Sequence, residues 1–231
     1  AVHAYNIRGA AHMAMGAYGL AVADLNKAIE LDPNYAEAYA NRGLAYAESE
    51  DYGRAIKDCD QAVSLDPLNP ASFASRGWVY GQLGVPEQAI EDFGRAIELD
   101  PSRAKAWFGR GSIYAELKQY EAALNDLDRA IELDPGLAEP YEARARVRRN
   151  LGDYVGALRD YDRLIGLEPT DDSRYYNKAC IYALMGEPEN ACRWLAKAIR
   201  MDARWRENAE QDQDFESMQD QECYKVLVTE G

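Results

Sequence analysis

The sequence has few residues of the kinds that carry most enzyme chemistry. Among 231 residues there are two histidines, His3 and His12, both near the start of the chain. Neither has a serine or cysteine nucleophile at a spacing typical of a catalytic pair. The motifs HExxH, GxxxxGKS/T and GxGxxG are absent, and acidic pairs such as Asp58 and Asp60 are expected on solvent faces. We therefore predict no catalytic residues, no metal site, no cofactor and no enzyme activity.

Cysteine is also scarce. The four cysteines form no CxxC pair and no dense pattern of the kind found in small disulfide-rich domains; they are Cys59, Cys180, Cys192 and Cys223. Such usage fits thiols that stay reduced, so we predict a cytoplasmic protein, with an oxidising compartment as the alternative. Cys59 and Cys192 are expected to act as small hydrophobic residues.

Long hydrophobic runs and an excess of positive charge are both missing. No stretch of 18 apolar residues occurs, and no signal segment opens the chain, so we expect no membrane insertion. Acidic residues outnumber Lys and Arg by 40 to 26, which argues against nucleic acid as a partner because phosphate binding needs a positive field. The opening AVHAYNIRG is helical in pattern and lacks an initiating methionine. We interpret it as the start of a fragment or of a processed form.

The dominant feature that is present is a period of 34 residues. The tripeptide LDP begins at Leu31, Leu65, Leu99 and Leu133, and LEP begins at Leu167. Such marks in strict register indicate internal repeats. With each proline placed at position 32 of a unit, six units result: 2–35, 36–69, 70–103, 104–137, 138–171 and 172–205.

Each unit has the pattern of two amphipathic helices joined by a short turn. Position 4 is aromatic, position 8 is glycine or alanine, and position 20 is alanine in every unit. Small residues at positions 8 and 20 allow the two helices to approach closely, while larger groups fill the space between units. The proline ends the second helix, since it has no N–H and disfavours helix in the residue before it. No segment alternates with a period of two, so we predict an all-α fold.

This pattern resembles the tetratricopeptide repeat (TPR) family, whose repeat is 34 residues long. The resemblance implies a right-handed α-solenoid of six TPR helical hairpins in residues 1–205, followed by a C-terminal capping helix and an acidic tail in residues 206–231. The segment around Asp212, Asp214 and Phe215 is similar to one that often closes bacterial members. We expect the apolar residues of this region to cover the last repeat: Trp205, Ala209, Phe215, Met218 and Leu227.

The resemblance also implies a concave groove, lined by the first helix of each unit, in which family members commonly bind peptides. Positions 2, 5, 6, 9, 12 and 13 are then expected to face the groove. Our candidate peptide-binding residues come from these positions: Asn41, Trp78, Lys105, Phe108, Ser112, Arg146 and Arg149. Trp78 and Phe108 are either binding anchors or contacts to a neighbouring helix. The two-carboxylate clamp of some members is absent, and an asparagine ladder at position 6 is broken, for example by Gly109.

Four arginines fall within the stretch YEARARVRRN at residues 141–150. Because a helix turns about 100° per residue, Arg144 and Arg148 share one face, and Arg146 and Arg149 lie together on another. Arg144 occupies a position that is arginine in five units, which indicates a repeated structural role. Arg148 stands where the other units have tyrosine or histidine, so its charge must be paired or reach solvent.

Arg146 and Arg149 are the functional candidates of this stretch. Both are expected to point into the groove and, with Lys105, to receive a carboxylate of a peptide. The alternative is that they are solvated, or that Glu142 satisfies Arg146 within the helix.

The function predicted from these patterns is a non-catalytic scaffold that binds a peptide segment of another protein, with a carboxylate-bearing peptide as the specific expectation. One alternative is self-assembly into a homo-oligomer through the ends of the repeat array, because the first unit shows no cap. The other is the targeting arm of a larger enzyme.

Overall fold

The structure is a computed structural model that describes residues 1–229. This part of the chain contains fourteen α-helices, one 3-10 helix and no strand, which confirms the all-α prediction. No helix within these residues is long and apolar enough to cross a membrane. The helices are α1 (Val2–Ala14), α2 (Tyr18–Leu31), α3 (Ala36–Ala47), α4 (Tyr52–Leu65), α5 (Pro70–Leu83), α6 (Pro86–Leu99), α7 (Ala104–Glu116), α8 (Tyr120–Leu133), α9 (Glu139–Asn150), α10 (Tyr154–Leu167), α11 (Asp172–Leu184), α12 (Pro188–Met201), α13 (Trp205–Gln211), the 3-10 helix (Gln213–Met218) and α14 (Glu222–Thr229).

The chain divides into two compact units. The first is Ala1–Leu133, with helices α1 to α8, and the second begins at Asp134 and holds α9 to α14. Within each unit consecutive helices pair as hairpins, and the first helices of the first unit also pack in series, α1 on α3, α3 on α5 and α5 on α7. The first unit therefore stacks four hairpins, as the repeats predict. The second contains two hairpins and the C-terminal helices. The division into residues 1–205 and 206–231 stays a prediction.

The turn inside each hairpin contains one residue with left-handed backbone. It is a glycine in four hairpins, and Glu50 (φ 60°) and Lys118 (φ 59°) take its place in the other two. Glycine adopts this conformation without strain, because it has no Cβ to meet the following carbonyl oxygen. The turn geometry is thus the same in every hairpin, although its sequence is not.

Small residues let the two helices of a hairpin approach closely, as predicted. A Cβ added at Gly9 would lie 2.8 Å from Leu25 Cγ, and one added at Gly43 would lie 2.6 Å from Cys59 Sγ. The alanines at position 20 are fully buried: Ala21, Ala55, Ala89, Ala123, Ala157 and Ala191. Cys59 is a free, buried thiol, and burial raises its pKa to about 12. It packs as the small hydrophobic residue that the sequence predicts.

An ion pair joins the two helices of five hairpins, between arginine at position 7 and aspartate at position 23. In each pair Nε and Nη2 donate to the two carboxylate oxygens: Arg8–Asp24, Arg42–Asp58, Arg76–Asp92, Arg110–Asp126 and Arg144–Asp160. The structural role predicted for Arg144 is confirmed. Arg148 is paired as well, through Nη1 at 2.8 Å from Asp160 Oδ2. The expectation that Asp58 faces solvent is wrong, because this ion pair buries it.

The C-terminal helices cover the last hairpin. Ala209, Phe215 and Met218 are no more than 2% exposed and join Leu195 and Ala198 of α12 in one apolar cluster, to which Trp205 and Leu227 also contribute. The capping role predicted for these residues is confirmed. The cap is built from α13, the 3-10 helix and α14 together.

A disulfide joins the cap to the last hairpin. Cys192 of α12 and Cys223 of α14 are bonded, with a Cα–Cα distance of 6.1 Å, whereas Cys59 and Cys180 are free and buried. The prediction of reduced thiols is wrong for this pair. The reason is that α14 folds back onto α12 and brings together two residues that are 31 positions apart.

Candidate functional site

Five of the predicted binding residues belong to the first unit. Asn41 lies on α3, Trp78 on α5, and Lys105, Phe108 and Ser112 on α7. Trp78 and Lys105 are exposed and the other three are half-buried. These helices pack in series, so the five side chains come from neighbouring elements. Trp78 leaves 37% of its surface exposed, so part of its indole ring reaches solvent. The binding role of the five residues stays a prediction.

Asn41 takes part in a hydrogen-bond chain within the first unit. Its Nδ2 donates to Asn6 Oδ1 at 2.9 Å, and Asn6 Nδ2 donates to the Tyr35 hydroxyl at 3.2 Å. Tyr35 in turn donates to Glu37 Oε2 at 2.6 Å. Burial, helped by the Glu37 hydrogen bond, raises the pKa of Tyr35 to about 12, so the hydroxyl keeps its proton. One amide hydrogen of Asn41 is therefore already used inside the protein.

Gly109 is a case in which the groove pattern fails. Its position predicts a residue that faces the groove, but Gly109 is buried, and a Cβ there would collide with the ring of Phe93 on α6. The prediction is wrong for this residue because the bulk of Phe93 takes the space. The asparagine ladder is interrupted here for a packing reason.

In the second unit the groove positions of α11 are occupied by the chain itself. The 3-10 helix lies against α11. The Tyr176 hydroxyl donates to Asp212 Oδ2 at 2.9 Å, and Ser217 Oγ donates to the Ala183 carbonyl at 3.5 Å. Phe215 is buried with its ring 5.8 Å from that of Tyr176. Tyr176 and Ala183 stand at positions 5 and 12, which the repeat pattern assigns to the groove.

Arg149 is held by the same segment. Its Nη2 donates to both carboxylate oxygens of Asp214, at 2.6 and 2.5 Å. Burial alone would lower the pKa of Arg149, but the charge of Asp214 and this hydrogen bond hold it above the ordinary value. Arg146, on the same helix, is exposed. Among the described residues no ion pair joins Glu142 to Arg146, so the local pairing considered for Arg146 is not formed.

Three potential metal ligands meet where this segment crosses α11. One ligand atom each of Cys180, Asp212 and Asp214 lies within 4.8 Å of the others. Burial, and then the nearby aspartates, raise the pKa of the Cys180 thiol well above its ordinary value, while Tyr176 and Arg149 already bind the two carboxylates. A protonated thiol and carboxylates that are already bound make a poor donor set for a cation. The cluster is better described as the anchor of the 3-10 helix.

The sequence predicts that this segment belongs to the cap but does not predict its polar contacts. The available signal was charge: Asp212 and Asp214 lie in an acidic tail, and Arg149 is a groove-facing cation of the preceding hairpin. Nothing in the sequence, however, shows that residues 65 positions apart meet.

Comparison with family models matches most of the chain to one kind of repeat. Models described as "Tetratricopeptide repeat" match residues 43–106, 75–138 and 173–204, and a model described as "TPR repeat" matches residues 9–50. A comparison with curated proteins found no match.

Several solved structures have the same fold. MamA is 25% identical over 70% of this chain and 95% of its own, with a TM-score of 0.65. YrrB, described as a TPR protein with an unusual peptide-binding site, is 25% identical over 81% of this chain and 98% of its own, with a TM-score of 0.64. Pseudomonas aeruginosa PilF is 18% identical over 91% of this chain and 97% of its own, with a TM-score of 0.76.

These results agree with the 34-residue period and with the stacked hairpins. Such hairpins form scaffolds on which proteins bind one another, and this is the functional class of the chain. The chain belongs to the tetratricopeptide repeat family.

Proposed function

We propose that this protein is a non-catalytic scaffold that binds a peptide segment of a partner protein along the first helices of its hairpins. The observation that supports this most is the way the second unit holds residues 212–218 of its own chain. Tyr176 and Arg149 bind two carboxylates of the segment, and Phe215 is buried beside them. Peptide recognition usually combines two elements: polar contacts that orient the segment, and a fully buried aromatic anchor.

The first unit offers a second surface of related chemistry. Trp78 of α5 supplies an exposed aromatic anchor and Lys105 of α7 an exposed cation, while Phe108 and Ser112 lie on α7 and Asn41 lies on α3. An acidic peptide with an apolar side chain suits this set, because Lys105 can pair with a carboxylate while the indole covers the apolar group. The description of YrrB as peptide-binding adds support for this class of ligand. In the second unit, Arg146 and Arg149 are the corresponding cations.

Replacing Trp78 by alanine tests this proposal. Peptides selected from a displayed library on the wild-type protein should bind Trp78→Ala about 30-fold more weakly, which is the cost of about 2 kcal/mol typical of a central aromatic anchor. Lys105→Glu should weaken the acidic peptides among them. Isothermal titration calorimetry measures both effects, and circular dichroism should show unchanged helicity.

Leu68→Ala is the matched control, since Leu68 is 71% exposed and lies outside the first helices. It should leave peptide affinity unchanged. Selected peptides that bind Trp78→Ala and Lys105→Glu as tightly as the wild type would show that the first-unit surface is not the binding site.

Self-assembly is a second candidate, which one observation favours. Ala4 and Ala11 of α1 are exposed, whereas the equivalent residues of the next three hairpins are at least 93% buried: Ala38, Ala45, Ser72, Val79, Ala106 and Ile113. This face of α1 has the packing pattern of an interior hairpin, and none of the residues that the structure describes covers it. Residues 1–31 contain two basic and two acidic residues in a chain of net charge −14. A second copy could therefore dock here without strong repulsion.

Ala11→Glu should turn such an assembly into monomers, because it places like charges opposite each other across a two-fold interface. Sedimentation velocity at rising protein concentration measures this, with Ala203→Glu, at an exposed position of the second unit, as the control. Wild-type protein that sediments as a monomer at every concentration would rule self-assembly out.

The cytoplasmic location predicted from the cysteines stays a prediction. The Cys192–Cys223 disulfide favours the alternative, an oxidising compartment, because cytoplasmic thiols are normally kept reduced.

A further inference from the structure

Residues 212–218 occupy the surface of the second unit that corresponds to a peptide-binding groove. They contact Tyr176, Cys180 and Ala183, at positions 5, 9 and 12 of the last hairpin, and Arg149, at position 12 of the one before it. All four belong to first helices and to the positions assigned to the groove. While the segment is bound, no other peptide can reach these atoms.

The contacts of the segment depend on a short pattern of side chains. Asp212 accepts from Tyr176, Asp214 accepts from Arg149, and Phe215 and Met218 are buried. The pattern is therefore D-x-D-F-x-x-M, with two acidic groups for orientation and two apolar anchors. Because these contacts come from side chains and not from chain continuity, a segment of another protein with the same pattern can make them.

The segment is fastened on its C-terminal side by a disulfide and a hydrogen bond, while α13 continues it on the N-terminal side. Cys223 of α14 is bonded to Cys192 of α12, and Arg206 Nε donates to the Leu227 carbonyl at 3.1 Å. The disulfide closes a loop of residues 192–223 that contains the whole segment. A cross-link of this length strongly lowers the conformational freedom of the detached state. Cys223 is exposed and Cys192 is buried, so a reductant approaches the bond from the side of Cys223.

We propose that residues 212–218 are an internal ligand that closes the groove of α9 and α11, and that reduction of Cys192–Cys223 opens this groove to an acidic, aromatic peptide of the D-x-D-F-x-x-M type from another protein. In the reduction, a dithiol supplies two electrons and two protons. The S–S bond breaks, Cys192 and Cys223 become thiols, and the dithiol becomes a disulfide. The inference rests on the proposed function, since it assumes that the groove accepts peptides.

A labelled peptide with the sequence of residues 210–220, EQDQDFESMQD, tests the proposal by fluorescence anisotropy. Oxidised wild-type protein should bind it at least tenfold more weakly than the same protein after dithiol treatment. Cys223→Ser should bind it tightly with or without dithiol, and Arg149→Glu in the Cys223→Ser background should lose that binding. A peptide with alanine in place of phenylalanine should bind at least tenfold more weakly to the reduced wild-type protein and to Cys223→Ser.

Equal binding by oxidised and reduced wild-type protein, or no binding by either the reduced protein or Cys223→Ser, would overturn the proposal. Reduction that produces dimers by light scattering, without binding of the peptide, would overturn it too, since the segment of a second copy would then be the occupant. The Trp78-dependent binding of peptides by the first unit is measured separately. If it persists while the redox effect is absent, only this inference fails and the proposed function stands.

Discussion

Phe215→Ala is expected to destabilise the second unit by about 3–5 kcal/mol, the usual loss when a fully buried phenylalanine is truncated. Phe215 is 1% exposed. Its ring lies 5.8 Å from that of Tyr176 and 5.6 Å from that of Tyr224, so one side chain connects α11, the 3-10 helix and α14. The truncation removes these contacts and leaves a cavity between three elements. Urea unfolding, followed by the exchange of amide hydrogens in residues 172–229, measures the loss.

Phe108→Ala is the matched control, because it removes the same atoms from a half-buried position of the first unit. It should cost less than half as much and should leave amide exchange in the second unit unchanged. If Phe215→Ala were no more costly than Phe108→Ala, the cap would be a loosely attached tail and not part of the core.

Asp126→Asn is expected to lower the free energy of unfolding by about 3 kcal/mol, because it leaves the charge of Arg110 without its carboxylate in a largely buried place. Nε and Nη2 of Arg110 lie 2.7 and 2.9 Å from the two oxygens of Asp126. The side chains of Asp126 and Arg110 are 7% and 21% exposed. The hydrogen bond to Asp126 holds the pKa of Arg110 above its ordinary value. The ordinary pKa of arginine is itself far above neutral pH, so the guanidinium stays charged when the partner is lost.

Asp92→Asn is the matched comparison, because it tests whether a second carboxylate compensates for the loss of the first. Arg76 loses Asp92 in this variant but keeps Asp60, which lies 2.9 Å from its Nη1. The loss should be about half that of Asp126→Asn when both are measured by urea denaturation. Equal losses for the two variants would mean that the second carboxylate, Asp60, contributes nothing to stability when Asp92 is lost.

The hairpins could be predicted from the sequence because their causes are local and repeated. Ala21 recurs as alanine every 34 residues and is buried in each hairpin. It marks a close contact between two helices that follow each other directly in the chain. The same repetition marked Arg144 as structural before any partner was known. Because the pattern occurs six times, the helix positions inferred from one unit can be checked against the other five.

The features that sequence reasoning missed depend on single, non-repeated contacts. Cys192 meets Cys223, and Arg149 meets Asp214, only because the residues after α12 fold back over the last hairpin. Asp58 was misplaced for a different reason. Its position in an acidic pair resembles a solvated face, and the arginine that buries it lies on another helix, 16 residues earlier. This pairing did leave a periodic signal, because aspartate stands at position 23 in five units, as arginine does at position 7.

The cap over α12 also limits how many copies of this chain can join. A hairpin stack whose two end faces both stay open can add further molecules at either end and form a filament of indefinite length. Here Phe215 and Met218 cover the apolar face of the last hairpin. A second copy therefore cannot stack on that hairpin, whereas an isologous contact through Ala4 and Ala11 of α1 would join two molecules.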